Sequence, residues 1–327
     1  MTDSVDSWRK PLFADLLREI RLRSTVYFRP EFRAPWGISI SAPPQATVFH
    51  IIVCGSSWLE VSGVAKPVQL SAGDFAVVMR GRPHIMRDDR ATPATDLFGL
   101  VKCNAPDKDK VFRAGGAGPV TRMVCGGMHF ENGPTDPLLA VLPPFIHVKA
   151  TRDGVRPWLR STVEQVVSEL DSGSAGSDEV ATRLADILFI QAVRAHFEEN
   201  ADTAEAGWLA GARDQHVGRA LALLHGQPDH PWTVASLATR VGVSRSAFAD
   251  RFTELVGEPP LRYLTRLRIN AAAQRLRLGD DKLTVIAADV GYESVSAFNR
   301  AFKRHLGMTP GEYRDGRHFV GTAQPQN

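Results

Sequence analysis

The sequence predicts an α+β protein of two domains: an N-terminal β-barrel followed by a helical pair, then an all-α domain built around a duplicated helix. Three observations carry this reading. Residues 25–148 mix β-branched and aromatic residues with Gly and Asp turn signals, as in "TVFHIIVCGSSWLEVSG" and "DFAVVMRG". From Val155 onward the apolar residues recur at helical spacing instead. Finally, "SRSAFADRFTELVGEPP" from Ser244 is written again fifty residues later as "SVSAFNRAFKRHLGMTP" from Ser294.

A chain of 327 residues suits two domains. The predicted boundaries are a barrel over 1–150, a helical pair over 151–200, a linker over 201–210, an all-α domain over 211–318 and a flexible tail over 319–327. Within the barrel region, "CNAPDKDKVFRAGGAGP" (Cys103–Pro119) reads as a mobile loop, because Gly, Ala and charge dominate it. The helical pair is "VRPWLRSTVEQVVSELDSG" and "SDEVATRLADILFIQAVRAHFEEN", hinged at "GSAGS". Its apolar stripes are Leu159, Val163, Val166 and Leu170, then Val180, Leu184, Ile187, Val193 and Phe197. They are expected either to pack on the barrel or to form a dimer contact with a second copy. The acidic, small-residue "ENADTAEAG" is the linker.

The longest apolar run, "ILFIQAV", is far too short to cross a bilayer, and "MTDSVDSWRKPLF" lacks the pattern of a signal peptide. With three widely spaced cysteines, the expectation is a reducing, cytoplasmic protein without a membrane segment. The net charge of +3 conceals an asymmetry: residues 208–318 hold 16 Lys+Arg against 11 Asp+Glu. The basic surplus thus lies in the part that carries the repeat, the direction expected for a nucleic-acid binder.

Each matched pair in the repeat has a physical job. Ser244 and Ser294 stand where a helix N-cap is wanted, and Phe248/Phe252 and Phe298/Phe302 recur at i, i+4 on one apolar face. Gly257 and Gly307 suit left-handed C-caps, and Pro260 and Pro310 suit the first turn of the next helix. A shorter helix precedes each copy, "VASLATRVG" and "LTVIAADVG", with small Ala238 and Ala287 permitting a close crossing. Helix, Gly-containing turn and capped helix is the helix-turn-helix pattern, predicted over 233–257 and 283–307. "PLRYLTRLRINAAAQRLRLG" would join the two units as one long helix. Two units with a single connecting helix argue against a solenoid, which needs at least three stacked repeats.

Over about the last 110 residues these motifs resemble the AraC/XylS family of transcription regulators. The resemblance implies a seven-helix DNA-binding domain whose two recognition helices enter successive major grooves of double-stranded DNA, ~34 Å apart. By position, Ser296, Asn299 and Arg300 are the implied groove-facing residues of the second helix. Arg300 is the candidate for a bidentate contact to guanine, and Lys303 and Arg304 are the candidate phosphate contacts. In the first helix the matching positions are Ser246, Ala249 and Asp250, flanked by Arg245 and Arg251. Asp250 departs from the family's basic residue there. A carboxylate facing phosphates is repelled unless it accepts from cytosine or pairs with Arg251 or a neighbour.

The strand region resembles the cupin barrel. In "LSAGDFAVVMRGRPHIMRD", Gly73, Gly81 and His84 match the second cupin motif, whose histidine ligates metal in metal-binding cupins. The paired histidines and glutamate of the first motif are missing, with only His50 nearby. Strand alternation places His50 with Cys54 on one face, and Cys125 with His129 on another strand's face. If His50, His84 and Cys125 converge, they would suit Zn or another divalent metal. Otherwise His50, His84, Cys125 and His129 line a metal-free effector pocket, or the barrel is purely structural.

Two functions compete. The first is a regulator that senses a small-molecule or metal effector through the barrel and dimerises through the middle helices. It reads DNA with the C-terminal domain, and engages RNA polymerase if it activates. The second is a metal-dependent cupin enzyme, an oxygenase or isomerase, in which His50, His84 and a third group hold iron.

Overall fold

The computed structural model describes Leu12, Leu17 and residues 22–43, 46–130, 142–150, 157–200 and 208–316. The predicted tail and linker residues 201–207 lie outside the described residues. Described residues 22–198 belong to one compact unit and 199–316 to another.

The first unit holds two facing sheets. One runs β11 (Phe145–Val148), β6 (Phe75–Val78), β3 (Thr47–Cys54), β10 (Val120–Phe130), β1 (Leu22–Arg33), β9 (Val111–Gly115). The other runs β5 (Val68–Ser71), β4 (Ser56–Val61), β7 (His84–Arg87), β2 (Gly37–Ile40), β8 (Thr95–Asp96). Alternation does the sorting. Ile38 and Ile40 of β2, Leu59 and Val61 of β4, Ile52 of β3, and Met123 and Cys125 of β10 all point into one shared core with Phe32 and Trp36.

The region Cys103–Pro119 differs from its reading as a loop. It follows α1 (Leu97–Cys103) and contains β9, which pairs in parallel with Arg29–Arg33 of β1. The reason is Phe112, which is fully buried and meets Phe32 edge-on at 5.8 Å. One inward aromatic anchors a short edge strand inside a segment whose composition otherwise reads as coil.

Both middle helices, α2 (Pro157–Ser172) and α3 (Ser177–Asn200), belong to this first unit. Leu159, Val163 and Val166 are buried on α2, as are Val193 and Phe197 on α3. Phe189 of α3 packs on Phe130 of β10 at 5.4 Å, and the Asp186 carboxylate accepts the Ser24 N–H at 2.8 Å. Arg29 donates to the Leu170 carbonyl at 3.0 Å and pairs with Asp171. Of the predicted stripe, Val180 and Ile187 are left out of this packing and remain 44% and 46% exposed.

The second unit holds eight helices among the described residues: α4 (Trp208–Arg213), which begins inside the predicted linker, and seven that begin within the predicted 211–318 domain. Asp214 separates α4 from α5 (Gln215–Gly226) and caps the latter, accepting the His216 and Val217 N–H groups. Two helix pairs follow: α6 (Val234–Val241) with α7 (Arg245–Val256), and α9 (Leu283–Asp289) with α10 (Val295–Leu306). The long α8 (Pro260–Leu278) joins them, and α11 (Pro310–Asp315) closes the chain. Ser244 and Ser294 accept the Ala247 and Ala297 N–H groups as N-caps, and Gly257 and Gly307 are left-handed C-caps. Phe248 and Phe252 are buried in the first pair. In the second, Phe298 and Phe302 pack with Ile286, Ala287 and Val290 onto Ile269, Ala272 and Leu276 of α8.

Phe112→Ala removes the anchor of β9 and is expected to destabilise the barrel by ~3–5 kcal/mol in chemical unfolding followed by circular dichroism. A loss under ~1 kcal/mol would show that the strand holds without it.

Candidate nucleic-acid interface and barrel site

Residue phase decides what α10 offers to a ligand. With Phe298 and Phe302 buried, Ser296, Arg300, Lys303 and Arg304 form the exposed face. Three of those four side chains are cationic, and none of the three has a hydrogen-bond or ion-pair partner among the described residues. Asn299 departs from its predicted place on this face. It stands one residue from Phe298 and three from Phe302, so it is half-buried, and its Oδ1 is shielded from solvent with no hydrogen-bond partner.

The twin helix α7 presents something different. Arg245, Ser246 and Asp250 are exposed, and Ala249 is half-buried at the position matching Asn299. Arg251, predicted to flank the reading face, is exposed but ion-paired to the scaffold. Its Nε and Nη2 lie 2.6 and 2.5 Å from Asp214 Oδ2, while Oδ1 of the same carboxylate caps α5. Burial pushes the Asp214 carboxyl up, but Arg251 and the two capping N–H groups together hold it below its ordinary value. Asp250 is therefore not paired with Arg251 and has no partner among the described residues. The first exposed face carries one Arg and one Asp, and the second two Arg and one Lys.

In the barrel, the structure brings His50, His84 and Cys125 together but in a line. His50 of β3 lies opposite Cys125 of β10, and its Nδ1 is 3.2 Å from the Cys125 Sγ. Its other nitrogen, Nε2, is 3.0 Å from His84 Nε2, and His84 Nδ1 is 3.0 Å from the Arg82 carbonyl. One set of neutral tautomers satisfies every contact. The Cys125 thiol donates to His50 Nδ1, His50 Nε2–H donates to His84 Nε2, and His84 Nδ1–H donates to the Arg82 carbonyl. Burial, and then the neighbouring His84, hold His50 well below the usual imidazole range. Burial lowers His84 against the opposing effect of the Arg82 carbonyl, and it raises the Cys125 thiol.

This line corrects the expected metal set. Cys125 and His84 approach opposite nitrogens of one imidazole, so no single point lies within bonding distance of all three. Among the described residues no other group of three metal-ligating side chains converges. His50, His84 and Cys125 as arranged do not share one metal position. His129 shares strand parity with Cys125, but four residues separate them by ~13 Å along the strand. His129 is exposed, apart from the buried relay, and Cys54 is only half-buried.

Comparison with known proteins bears on both units. The cupin family matches residues 12–198, and a helix-turn-helix domain family matches residues 237–316. An AraC-like transcription regulator of Streptomyces lividans is 38% identical over 92% of this chain and 96% of its own length. The HTH-type transcriptional regulator AlkR of Acinetobacter baylyi is 30% identical over 90% of this chain and 96% of its own. The RCS-specific transcriptional activator RclR of Escherichia coli is 30% identical over 83% and 93%.

The neutral relay has a pH consequence with a definite sign. The folded barrel holds two imidazoles below the ~6.5 of an unfolded chain, so between those values the unfolded state binds more protons. Stability is full above pH ~6.5 and declines as the pH falls. Calorimetry on the full chain should show the barrel's midpoint dropping between pH 7.5 and 5.5, with a smaller drop in His84→Gln. An unchanged pH slope in that variant would contradict the neutral relay.

Proposed function

Because the chain belongs to the AraC-like transcription regulators, DNA-binding proteins that here join a cupin domain to a helix-turn-helix domain, we propose that both helix pairs enter successive major grooves and that the barrel senses a small molecule. The observation that carries the reading is the exposed cationic face of α10, set on a capped helix with its aromatic side buried. Arg300 is the base reader, with planar donors suited to the O6/N7 edge of guanine. Lys303 and Arg304 bind phosphate, and Ser296 supports them. From α7, Arg245 and Ser246 contact DNA, Asp250 accepts from a cytosine amino group or avoids phosphate, and Ala249 permits close approach. The second pair then contributes more of the sequence discrimination.

For sensing, His84 offers an entry. Besides belonging to the relay, it lines an open cleft of about 460 Å³ with Ile40, Glu60, Ser62 and Val64. A small molecule bound there that accepts from His84 Nδ1–H would compete with the Arg82 carbonyl it now touches. The exposed Val180 and Ile187, one heptad apart on α3, support a homodimer contact on that face. Ile187→Lys should shift full-length protein toward monomer in sedimentation equilibrium, and an unaltered distribution would place the dimer contact elsewhere.

The DNA reading is tested by electrophoretic shift with duplexes selected from a randomised pool, at several salt concentrations. Arg300→Ala should cost ~1–3 kcal/mol and relax preference at one base position. Lys303→Ala should weaken binding to every sequence and lower the salt slope by about one. Sequence-independent loss from both variants would make Arg300 a phosphate contact only. Absence of any selected sequence would remove the DNA-reading assignment.

A further inference from the structure

Arg268, in the middle of α8, has its guanidinium engaged by backbone carbonyls. Its Nε donates to the Pro228 carbonyl at 2.6 Å, and its Nη2 to those of His230 at 2.8 Å and Asp229 at 3.3 Å. These three acceptors belong to the segment that leads into α6 and so into the first helix pair. Its Nη1 donates to the Gly291 carbonyl at 3.0 Å, in the turn of the second pair. One planar group on the connecting helix thus holds a loop of each pair at once, with four bonds to four consecutive or facing carbonyls.

The surroundings make this a rigid connection. The loop is tied to itself, since Trp232 Nε1 donates to the Gln227 carbonyl at 3.0 Å and the Trp232 N–H to His230 at 2.7 Å. It runs directly into Thr233, whose side chain caps α6. On the other side, the guanidinium lies 5.7 Å from the Tyr292 ring, which meets buried Phe298 of α10 edge-on at 5.5 Å. The two loops touch closely enough to exclude a side chain. Gly291 has φ +84°, and a Cβ there would fall 2.5 Å from the Asp229 carbonyl and 2.8 Å from Arg268 Nη2.

We propose that Arg268 is a positioning residue that fixes the separation and relative rotation of the two reading helices, and so makes the protein selective for the spacing between its two DNA elements. The inference rests on the reading that both helix pairs contact DNA. A rigid head can satisfy two major-groove elements only at one separation, because each added base pair turns the second element by about 34° and moves it about 3.4 Å. With the clamp weakened, α8 still joins the pairs, but the two loops are no longer pinned to each other.

The test uses full-length protein and two duplexes: the best wild-type site from a randomised pool, and the same site with two base pairs inserted between its elements. The readout is the ratio of the two affinities. Wild-type protein should disfavour the lengthened site strongly, whereas Arg268→Lys, a point charge with no planar fork, should reduce that ratio at least about tenfold. Its preferences within each element should be unchanged. A purely structural role would weaken binding to both duplexes equally and leave the ratio intact, which overturns the proposal. Gly291→Ala keeps Arg268 but forces the loops apart, and its ratio should fall or its preferred spacing shift; retention of the wild-type ratio there also overturns it. If wild-type sites contain a single element, the paired-reading assignment itself fails, a result distinct from an unchanged ratio. Loss of helical signal in both variants would assign the clamp to folding and overturn the spacing role.

Discussion

The C-terminal domain depends on one guanidinium satisfying four backbone carbonyls drawn from two structural repeats. Duplication alone yields two capped helices, each stabilised by its own aromatic pair. Nothing in those local interactions sets one helix relative to the other. The connecting helix supplies a rigid rod, and Arg268 adds the bond that pins the entry loop of the first pair to the turn of the second. Burial lowers the Arg268 guanidinium from its ordinary value, yet it remains charged throughout the physiological range. Neutral carbonyls, not carboxylates, hold it, so the clamp adds no negative charge to a domain that must approach phosphates.

The two repeats have diverged in what they do with charge. Each keeps Ser, Phe, Phe and Gly at matching positions, because caps and core tolerate little else. On the exposed side the second keeps three cations free. The first ties Arg251, itself still exposed, to Asp214, where one carboxylate both caps a helix and holds the ion pair. The barrel shows a comparable economy. Its buried thiol and imidazoles satisfy one another in a chain ending on a backbone carbonyl, so that no charge need be buried.

Local patterns in the sequence made much of this legible. Short-range periodicity and cap residues point to helices where the structure has α6, α7, α8, α9 and α10. What escaped was set by partners distant in the chain. Phe112 makes a strand only because Phe32 and Phe28 wait across a parallel pairing some eighty residues away. His50, His84 and Cys125 lie in contact, but alternation reports which face a side chain shares and not which ring nitrogen it meets. Asn299 was placed on the reading face by resemblance, whereas its helical phase puts it on the flank of the core. Arg268 stands among several arginines in "LRYLTRLRIN", and its role is invisible without the carbonyls that surround it. Asp214 did leave a signal, an Asp just before the helical run "QHVGRALALL", which is an N-cap pattern.

The central claim is a single rigid reading head with two unequal faces. Hydroxyl-radical footprinting of the full-length protein on its selected duplex, combined with base-by-base substitution of that duplex, tests it most directly. Two protected patches are expected on one side of the DNA, one helical turn apart, with substitutions in one element costing markedly more than in the other. A single protected patch, or two patches equally sensitive to substitution, would contradict it.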